Sequence, residues 1–417
     1  MRKMLEWAHL PECKAPSPGW SVRPFRDVAE VIAGQSPPSE TYNQNGEGLP
    51  FLQGNADFGP HYPSAKEWCS AHPKAAQAGD TLISVRAPVG EVNRADQAYA
   101  IGRGLAAIRA HNFDADLLYQ AMQRWRWSLQ RVAQGTTFDA VTARHFAQLF
   151  VAVPDSPEEQ ASIARILDAV DTAIECTQNA IDRARDVLRA LMQALLPPWI
   201  GLKKLPIESM PPSVVDIVKA GEIGRVVNGA TPSRTEGRYW SGGHIPWLAT
   251  GKVHDRFITR PNECVTDVAL RECSIELVPK GSVLVAMIGQ GRTRGMAAYL
   301  GIDATINQNF GSIVPKGKVL GKWLFYYLDY HYHPLRELGG GTNQGALNCY
   351  LLKRIRIPVP SIDSQEETIE ILEAAERSVA AHVACMEPRH QLKRSLMHDL
   401  LTGKVRTDQL KLHEVAA

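Results

Sequence analysis

The 417-residue sequence lacks a hydrophobic run of membrane-spanning length, since no uninterrupted apolar stretch approaches the roughly 18 residues that a spanning helix needs. Its start, Met1-Arg2-Lys3-Met4-Leu5-Glu6-Trp7, lacks the apolar core of a signal peptide. These two absences argue against membrane insertion and secretion. We therefore expect a cytoplasmic protein with no membrane partner.

Cysteine is scarce and scattered. The seven cysteines are odd in number, and Cys264 and Cys273 have neither the pairing nor the neighbouring histidines of a zinc site. Reduced, buried thiols are the expectation, with no disulfide and no metal.

Catalytic motifs are also missing. Gly289-Gln290-Gly291 begins like a dinucleotide-binding fingerprint, but the next glycine, Gly295, comes one place too late. Leu196-Pro197-Pro198-Trp199 is similar to the motif with which amino-methyltransferases hold a flipped base, yet Leu196 cannot accept a hydrogen bond. Asp155 could begin the carboxylate cluster of a nuclease, but a helix cap explains it fully. We therefore expect no catalytic residue and no cofactor.

The formal net charge is only +2, but it is unevenly spread. Basic residues outnumber acidic ones between Lys280 and Arg356. This excess is compatible with a nucleic-acid partner, and it is equally compatible with an ordinary solvated surface.

The sequence contains an internal repeat. Arg189-Ala190-Leu191-Met192-Gln193-Ala194-Leu195-Leu196 returns as Arg394-Ser395-Leu396-Met397-His398-Asp399-Leu400-Leu401. Further matched segments precede each copy in the same order: 34–39 with 229–233, 49–52 with 245–248, 78–83 with 280–285, and 135–154 with 341–360. The order predicts two related globular units, each followed by a long helix.

The first of these helices begins after Pro154-Asp155-Ser156-Pro157 and ends before Pro197-Pro198. Its apolar residues recur in steps of four and three, a spacing typical of a coiled-coil seam: Ile163, Leu167, Val170, Ile174, Ile181, Leu188, Leu191 and Leu195, with Thr177 and Ala184 between. This narrow stripe predicts a partner helix of similar length.

The second helix begins after residues 360–364 and has a poorer seam, because Glu376, His390 and Lys393 stand where apolar residues are expected. Pro388 lacks a backbone donor and predicts a kink near residues 386–389. We expect the two helices to pair antiparallel. The alternative is that each helix packs within its own domain.

Short apolar runs bounded by glycine or proline predict strands at 81–85, 283–288 and 355–359. The predicted fold is α/β (α+β), with two globular domains joined by two long antiparallel coiled-coil helices in a pseudo-twofold repeat. The expected boundaries are 1–155 and 201–360 for the globular domains, 156–200 and 361–403 for the helices, and 404–417 for a tail.

In the order of these features the chain resembles the DNA-specificity subunit of type I restriction-modification systems. The resemblance rests on the paired helices, the segments at Gly34 and Gly229, the Gly-Thr tracts at Gly135 and Gly341, and the repeated Leu-Met-x-x-Leu-Leu ending. It implies a non-catalytic chain in which each globular unit is a target recognition domain for one half of a split DNA sequence. It also implies double-stranded DNA, two methyltransferase subunits and, in the full complex, restriction subunits as partners. The irregular second helix departs from the family pattern.

Base edges are read mainly by Arg, Asn, Gln, Ser and Thr side chains on stiff loops. The candidates in the first unit are Gln35, Ser36, Asn55, Arg86, Arg94 and Arg103. Those in the second unit are Thr231, Ser233, Arg234, Lys252, Arg292, Thr293, Arg294, Asn307, Gln308 and Asn309, of which the loop Arg292-Thr293-Arg294 is preferred. Any one of them is equally compatible with a turn or surface role.

Two other functions stay open at this point. A scaffold that bridges proteins would use the units to bind peptides or subunits, and a solitary methyltransferase would need the cofactor loop and base-flipping motif that are missing. Salt-dependent DNA binding separates the first from a DNA-reading protein. Bound S-adenosylmethionine would identify the second.

Overall fold

The computed structural model describes residues 17–71, 74–134, 141–147, 149–289, 291–340 and 346–409, with the backbone alone for 127–134 and 409. The Gly-Thr tracts that begin at Gly135 and Gly341 lie outside the described residues.

Mixed helix and strand structure fills both halves of the chain. The strands of the first half are β1 (Trp20–Pro24), β2 (Ala29–Ala33), β3 (Tyr42–Asn43), β4 (Leu49–Leu52), β5 (Glu67–Cys69), β6 (Ala75–Ala76), β7 (Thr81–Ser84), β8 (Val92–Arg94), β9 (Tyr99–Ile101), β10 (Leu105–Ala110) and β11 (Phe150–Pro154). Those of the second half are β12 (Val214–Lys219), β13 (Gly224–Asn228), β14 (Ile245–Leu248), β15 (Phe257–Ile258), β16 (Glu263–Val265), β17 (Val283–Ala286), β18 (Ala297–Leu300), β19 (Thr305–Ile306), β20 (Phe310–Pro315) and β21 (Arg356–Pro360). The α-helices are α1 (Ala115–Gln134), α2 (Ala143–Ala147), α3 (Pro157–Leu195), α4 (Asp267–Glu272), α5 (Gly321–Tyr330), α6 (Tyr332–Glu337), α7 (Cys349–Arg354), α8 (Ile362–Ala384) and α9 (Met386–Leu400).

The chain divides into two compact units. Unit 1 comprises Met1–Asn179 and Val383–Ala417, and unit 2 comprises Ala180–His382. Each boundary falls inside a helix, so the chain passes from one unit to the other in the middle of α3 and near the end of α8.

The internal repeat is confirmed by the sheet topology. Unit 1 has sheets of order β1-β11, β2-β10-β7-β8 and β3-β5-β4-β9-β6. Unit 2 has β12-β21, β13-β20-β17-β18-β15 and β16-β14-β19. Strand for strand, β2-β10-β7-β8 matches β13-β20-β17-β18, and β5-β4-β9 matches β16-β14-β19. The mixed fold class predicted from the apolar runs is therefore confirmed.

The two copies of the repeated Leu-Met motif are buried in opposite units. Met192 and Leu196, from the first copy, belong to the apolar core that contains Trp323 and Tyr327 of unit 2. Leu400 and Leu401, from the second copy, belong to the core of unit 1. Each long helical segment therefore begins against the globular part that precedes it in sequence and ends in the core of the other unit.

The narrow stripe of α3 is visible in its burial pattern. Ile163, Leu167, Thr177 and Ile181 are buried, and the other predicted seam positions are half-buried. Most residues between them are exposed, with side chains such as Arg185 and Arg189 paired to aspartates three residues earlier. At about 1.5 Å per residue, the 39 residues of α3 extend about 58 Å.

The second long helix is interrupted at Cys385, between α8 and α9 and one residue before the segment in which Pro388 predicted a kink. Pro388 has no N–H to donate to the carbonyl of Ala384. The guanidinium of Arg389 instead donates to the carbonyl of Cys385 at 3.1 Å.

The expectation that the cysteines are buried was wrong for part of the set. Cys69 is buried, but Cys176 and Cys385 are exposed, on α3 and at the helix interruption. Helices with wide exposed faces offer little apolar cover to a small side chain. Among the described helices, none is long and apolar enough to span a membrane.

Candidate nucleic-acid interface

In unit 1, three loops meet at one end of the central strands. The turn between β9 and β10 is closed by the bond from Leu105 N–H to the Gly102 carbonyl at 3.0 Å. The segment after β2 packs against it, because Gly34 N–H donates to Leu105 and Gln35 N–H donates to Ile101, both at 2.9 Å. A Cβ atom at Gly34 would lie 2.1 Å from the Gly102 carbonyl oxygen, so only glycine permits this approach.

Two predicted residues touch at this junction. Arg103 Nε donates to Ser36 Oγ at 3.1 Å, and the Arg103 side chain is exposed. Ser36 is half-buried and Gln35 is exposed beside it. The pair therefore presents a guanidinium to solvent from a position that a hydroxyl group fixes.

Arg86 and Asn55 come from neighbouring loops. Val85 N–H donates to the Gly104 carbonyl at 2.9 Å, which brings the loop with the exposed Arg86 to the same end of the strands. Asn55 begins a 3-10 turn whose Asp57 carboxylate accepts the N–H of Gln53 at 2.8 Å. The junction therefore joins five of the six residues predicted in unit 1.

Arg94 does not join them. It is paired with Asp116, and its guanidinium lies 5.7 Å from the ring centre of Tyr119. Burial, with the nearby Asp171 carboxylate, raises the pKa of Tyr119 to about 12. Arg94 thus lines a polar cleft at the N-terminal half of α3, and its charge is neutralised there rather than at the loop junction.

Unit 2 builds a matching junction with three equivalent backbone bonds. Phe310 N–H donates to Asn307 at 3.2 Å, Asn307 N–H to Leu248 at 3.0 Å, and Ala230 N–H to Ile306 at 3.1 Å. A Cβ atom at Gly229 would lie 1.9 Å from the Ile306 carbonyl oxygen. The matched glycines thus share one structural reason.

The side chains at this junction differ from those in unit 1. Thr231 Oγ1 donates to Gln308 Oε1 at 2.6 Å, and Gln308 is exposed. Asn307 is only 8% exposed, and its Oδ1 accepts from Thr250 and from the N–H of Asn309. Asn307 and Asn309 therefore hold the turn, whereas Gln308 faces outward.

Arg234 is held by an acid and two aromatic rings. Its guanidinium donates to both carboxylate oxygens of Glu263, at 2.5 and 3.0 Å, and lies 3.8 Å from the ring centre of Trp240 and 5.0 Å from that of Trp247. The hydrogen bond from Arg234 lowers the pKa of the Glu263 carboxyl. Sequence reasoning missed Glu263, since its partner stands 29 residues away.

Ser233 and Lys252 make local contacts. Ser233 Oγ lies 2.8 Å from Thr235 Oγ1. Lys252 Nζ lies 2.5 Å from Asp255 Oδ2, three residues later, and its side chain is 19% exposed. The charge of Lys252 is thereby balanced within its own turn.

The preferred loop presents one arginine and buries the other. Arg292 is exposed, and its carbonyl accepts from Tyr332 at 2.7 Å. Thr293 Oγ1 lies 3.3 Å from His254 Nε2. Arg294 is 6% exposed, and its carbonyl accepts from Arg336 at 2.9 Å. The expectation that Arg294 reaches a groove does not fit this burial. The next residue, Gly295, has a φ of +84° and packs directly against Arg336.

Comparison with known proteins gives a consistent match. The model of the type I restriction modification DNA specificity domain matches the chain twice, at residues 18–184 and 212–382. The MjaX specificity subunit of Methanocaldococcus jannaschii is 36% identical over 176 residues, 42% of this chain and 41% of its own. The EcoR124I/EcoR124II type I specificity subunit of Escherichia coli is 24% identical over 232 residues, 53% of each chain. These matches span less than two thirds of either relative.

The fold also matches a solved structure. The S subunit of a type I restriction-modification system from M. genitalium superposes with a TM-score of 0.59 at 15% identity, over 94% of this chain and 98% of the other. At this identity the likeness concerns the fold.

Proposed function

The chain belongs to the family of type I restriction modification DNA specificity domains, and from this membership we propose that it is a non-catalytic DNA-binding subunit that reads a split, asymmetric target. Each unit reads one half-site, with the globular parts 1–155 and 201–360 as recognition domains. The helical segments 156–200 and 361–403 set the spacing between the half-sites.

One observation carries this proposal: the two units build matching loop junctions with three equivalent backbone bonds but fill them with different side chains. Ser36 and Arg103 in unit 1 stand where Thr231 and Gln308 stand in unit 2. A shared backbone framework that carries different polar side chains is suited to reading two different DNA sequences, because base edges are distinguished by the donors and acceptors presented to them.

Exposed cations at the junctions supply the phosphate contacts. We assign this role to Arg86 and Arg292, both of which are exposed. Contacts to phosphates fix the position of a protein on the duplex, and contacts to bases specify the sequence. Each loop junction can therefore contact both phosphates and bases.

The partners are part of the proposal. We assign two methyltransferase subunits to the chain and, through them, restriction subunits in a cytoplasmic complex. Both relatives described above are specificity subunits, and the present sequence offers no methyltransferase motif of its own.

Methylome sequencing of a host that carries the chain with its methyltransferase tests the proposal. We expect a motif of two different half-sites of a few base pairs each, about one helical turn apart, since equivalent grooves recur every 10–10.5 base pairs. A host with the methyltransferase alone is the control. A palindromic motif would contradict one reader per unit.

A second measurement separates DNA reading from protein bridging. Binding of the full chain to a duplex that contains the motif should weaken steeply with salt, because released counterions give a linear fall of log affinity against log salt. A chain that supports no motif and binds DNA without this dependence would be a scaffold.

A further inference from the structure

We propose that Arg103 and Gln308 are equivalent base-reading residues of the two units, Arg103 for a guanine in one half-site and Gln308 for an adenine in the other. Ser36 and Thr231 position these two side chains. The inference rests on the proposed function, since it names the bases that the two junctions read.

The equivalence follows from the backbone. Arg103 and Gln308 each occupy the second position of a four-residue turn, closed by Leu105 to Gly102 in unit 1 and by Phe310 to Asn307 in unit 2. The first residue of each turn donates to the end of the matching strand, at Leu52 in unit 1 and at Leu248 in unit 2.

The hydroxyl partners are equivalent as well. Ser36 comes two residues after Gly34, and Thr231 comes two residues after Gly229. Both glycines pack against the carbonyls of the turn. The same two backbone positions therefore hold a hydroxyl against the side chain at the tip in both units.

Arg103 is oriented for bidentate donation. Its Nε is engaged by Ser36, and across the described part of the chain no hydrogen bond or ion pair occupies its two terminal nitrogens. A guanidinium with free terminal N–H groups matches the O6 and N7 acceptors of guanine in the major groove.

Gln308 is oriented for adenine. Its Oε1 accepts from Thr231, which leaves one lone pair on Oε1 and both donors on Nε2. An amide in this state accepts from the N6 amino group of adenine and donates to N7. Guanine offers two acceptors at the same edge, so the Oε1 acceptor would find no donor there.

Two basic side chains at the junction of unit 2, Arg234 and Lys252, are already engaged. Arg234 is paired with Glu263 and Lys252 with Asp255, each at a nitrogen–oxygen distance of 2.5 Å. Reading by these cations would first require an ion pair to break. Arg103 and Gln308 instead contact uncharged hydroxyl groups and keep donors for a ligand.

Reciprocal substitutions in the full chain, expressed with its methyltransferase, test the inference by methylome sequencing. Arg103→Gln should change one guanine of one half-site to adenine, and Gln308→Arg should change one adenine of the other half-site to guanine. Each change should exceed about tenfold in preference at that base pair and leave the opposite half-site unaltered.

Positioning and charge are tested separately. Ser36→Ala should keep guanine as the preferred base but reduce its preference severalfold. Arg165→Gln is the matched control, because Arg165 is an exposed arginine of α3 that also contacts a serine hydroxyl, Ser162 at 3.2 Å. This control should leave every base of the motif unchanged.

The outcomes distinguish the base assignment from the proposed function. An unchanged motif in both reciprocal variants, or an equal loss of methylation at all sequences, would overturn the base assignment while the wild-type split motif upholds the proposed function. A wild-type chain that yields no split motif would overturn both. Far-UV circular dichroism checks that the variants are folded, as expected for exposed turn positions.

Discussion

The ammonium group of Lys393 lies 2.5 Å from the Asp171 carboxylate, and both side chains are less than one fifth exposed. Lys393 also donates to Gln123 Oε1 at 2.9 Å. Asp171 further accepts from Gln120 at 2.8 Å. A residue that interrupts the apolar seam of the second helix is therefore part of a polar cluster of unit 1.

We expect Lys393→Ala to lower the free energy of unfolding by about 1–3 kcal/mol, because it leaves a half-buried carboxylate without its cation. Urea denaturation of the full chain measures the change. Lys404→Ala is the matched control, since Lys404 lies 3.5 Å from Asp399 with a 67% exposed side chain, and surface pairs contribute little. Equal losses in the two variants would contradict a special role for Lys393.

This pair shows what periodicity can and cannot predict about the helices. The spacing of apolar residues predicted α3 and its buried stripe, because a 3.5-residue repeat depends on local sequence alone. Glu376 and Lys393 broke the pattern, and the structure gives them long-range partners: Arg256 and Tyr326 for Glu376, Asp171 for Lys393. Such partners lie 50 or more residues away and leave no periodic signal.

Each copy of the repeated Leu-Met motif is buried in the unit opposite to the one in which its helical segment begins, and this leads to a prediction about local stability. Leu400→Ala should increase hydrogen exchange in the core strands of unit 1 and leave those of unit 2 unchanged, with a loss of about 2–5 kcal/mol for a fully buried leucine. Leu392→Ala, at a position 51% exposed on the same helix, should have little effect. Faster exchange confined to unit 2 would contradict the assignment of α9 to unit 1.

The candidate interface was predicted in part. Loops rich in Gly, Ser, Thr and Arg marked the two junctions, since the turn glycines and the polar side chains are visible in sequence. The burial of the side chains was not predicted. Arg292 and Arg294 look alike in sequence, yet Arg292 is exposed and Arg294 is only 6% exposed. The difference arises from the backbone turn at Gly295 and from Arg336, which no local pattern indicates.

We therefore expect alanine substitution of Arg292 and of Arg294 to have different effects on DNA binding and on stability. Arg292→Ala should weaken DNA binding and leave the melting temperature unchanged, because its side chain is exposed. Arg294→Ala should lower the melting temperature by a few degrees, as expected for a loss of about 1 kcal/mol or more in a folded unit. Duplexes with base changes in each half, at fixed salt, would show whether Arg292 acts on bases or on phosphates. A destabilised Arg292→Ala variant would contradict this division.

The ion pair of Arg234 with Glu263 predicts a gain of affinity. Glu263→Gln should release the guanidinium at the junction, raise the affinity for DNA, and steepen the slope of log affinity against log salt by about 1, as expected for one more phosphate contact. Affinity measured from 50 to 200 mM salt tests this.

Glu276→Gln is its matched control. Glu276 is paired with Arg225 at nearly the same exposure, 45% against 44% for Glu263, but Arg225 lies four residues before Gly229 along β13, about 13 Å from the junction. The same charge change there should leave the salt slope nearly unaltered. Equal slopes for the two variants would show that bulk charge, rather than Arg234, governs binding.

The last prediction concerns the two places where the chain passes between units, at Asn179 to Ala180 and at His382 to Val383. Inserting one heptad at each place lengthens both helical segments by about 10 Å and keeps their apolar stripes in phase. If these segments set the spacing, both half-site sequences should stay and the gap between them should grow by about three base pairs in the methylome. Insertions of five residues are the control, because they rotate each stripe by about 140° and should abolish methylation through loss of packing. A changed half-site with an unchanged gap would contradict the assignment of spacing to the helices, because loops at the junctions, far in sequence from either insertion, would then control both properties.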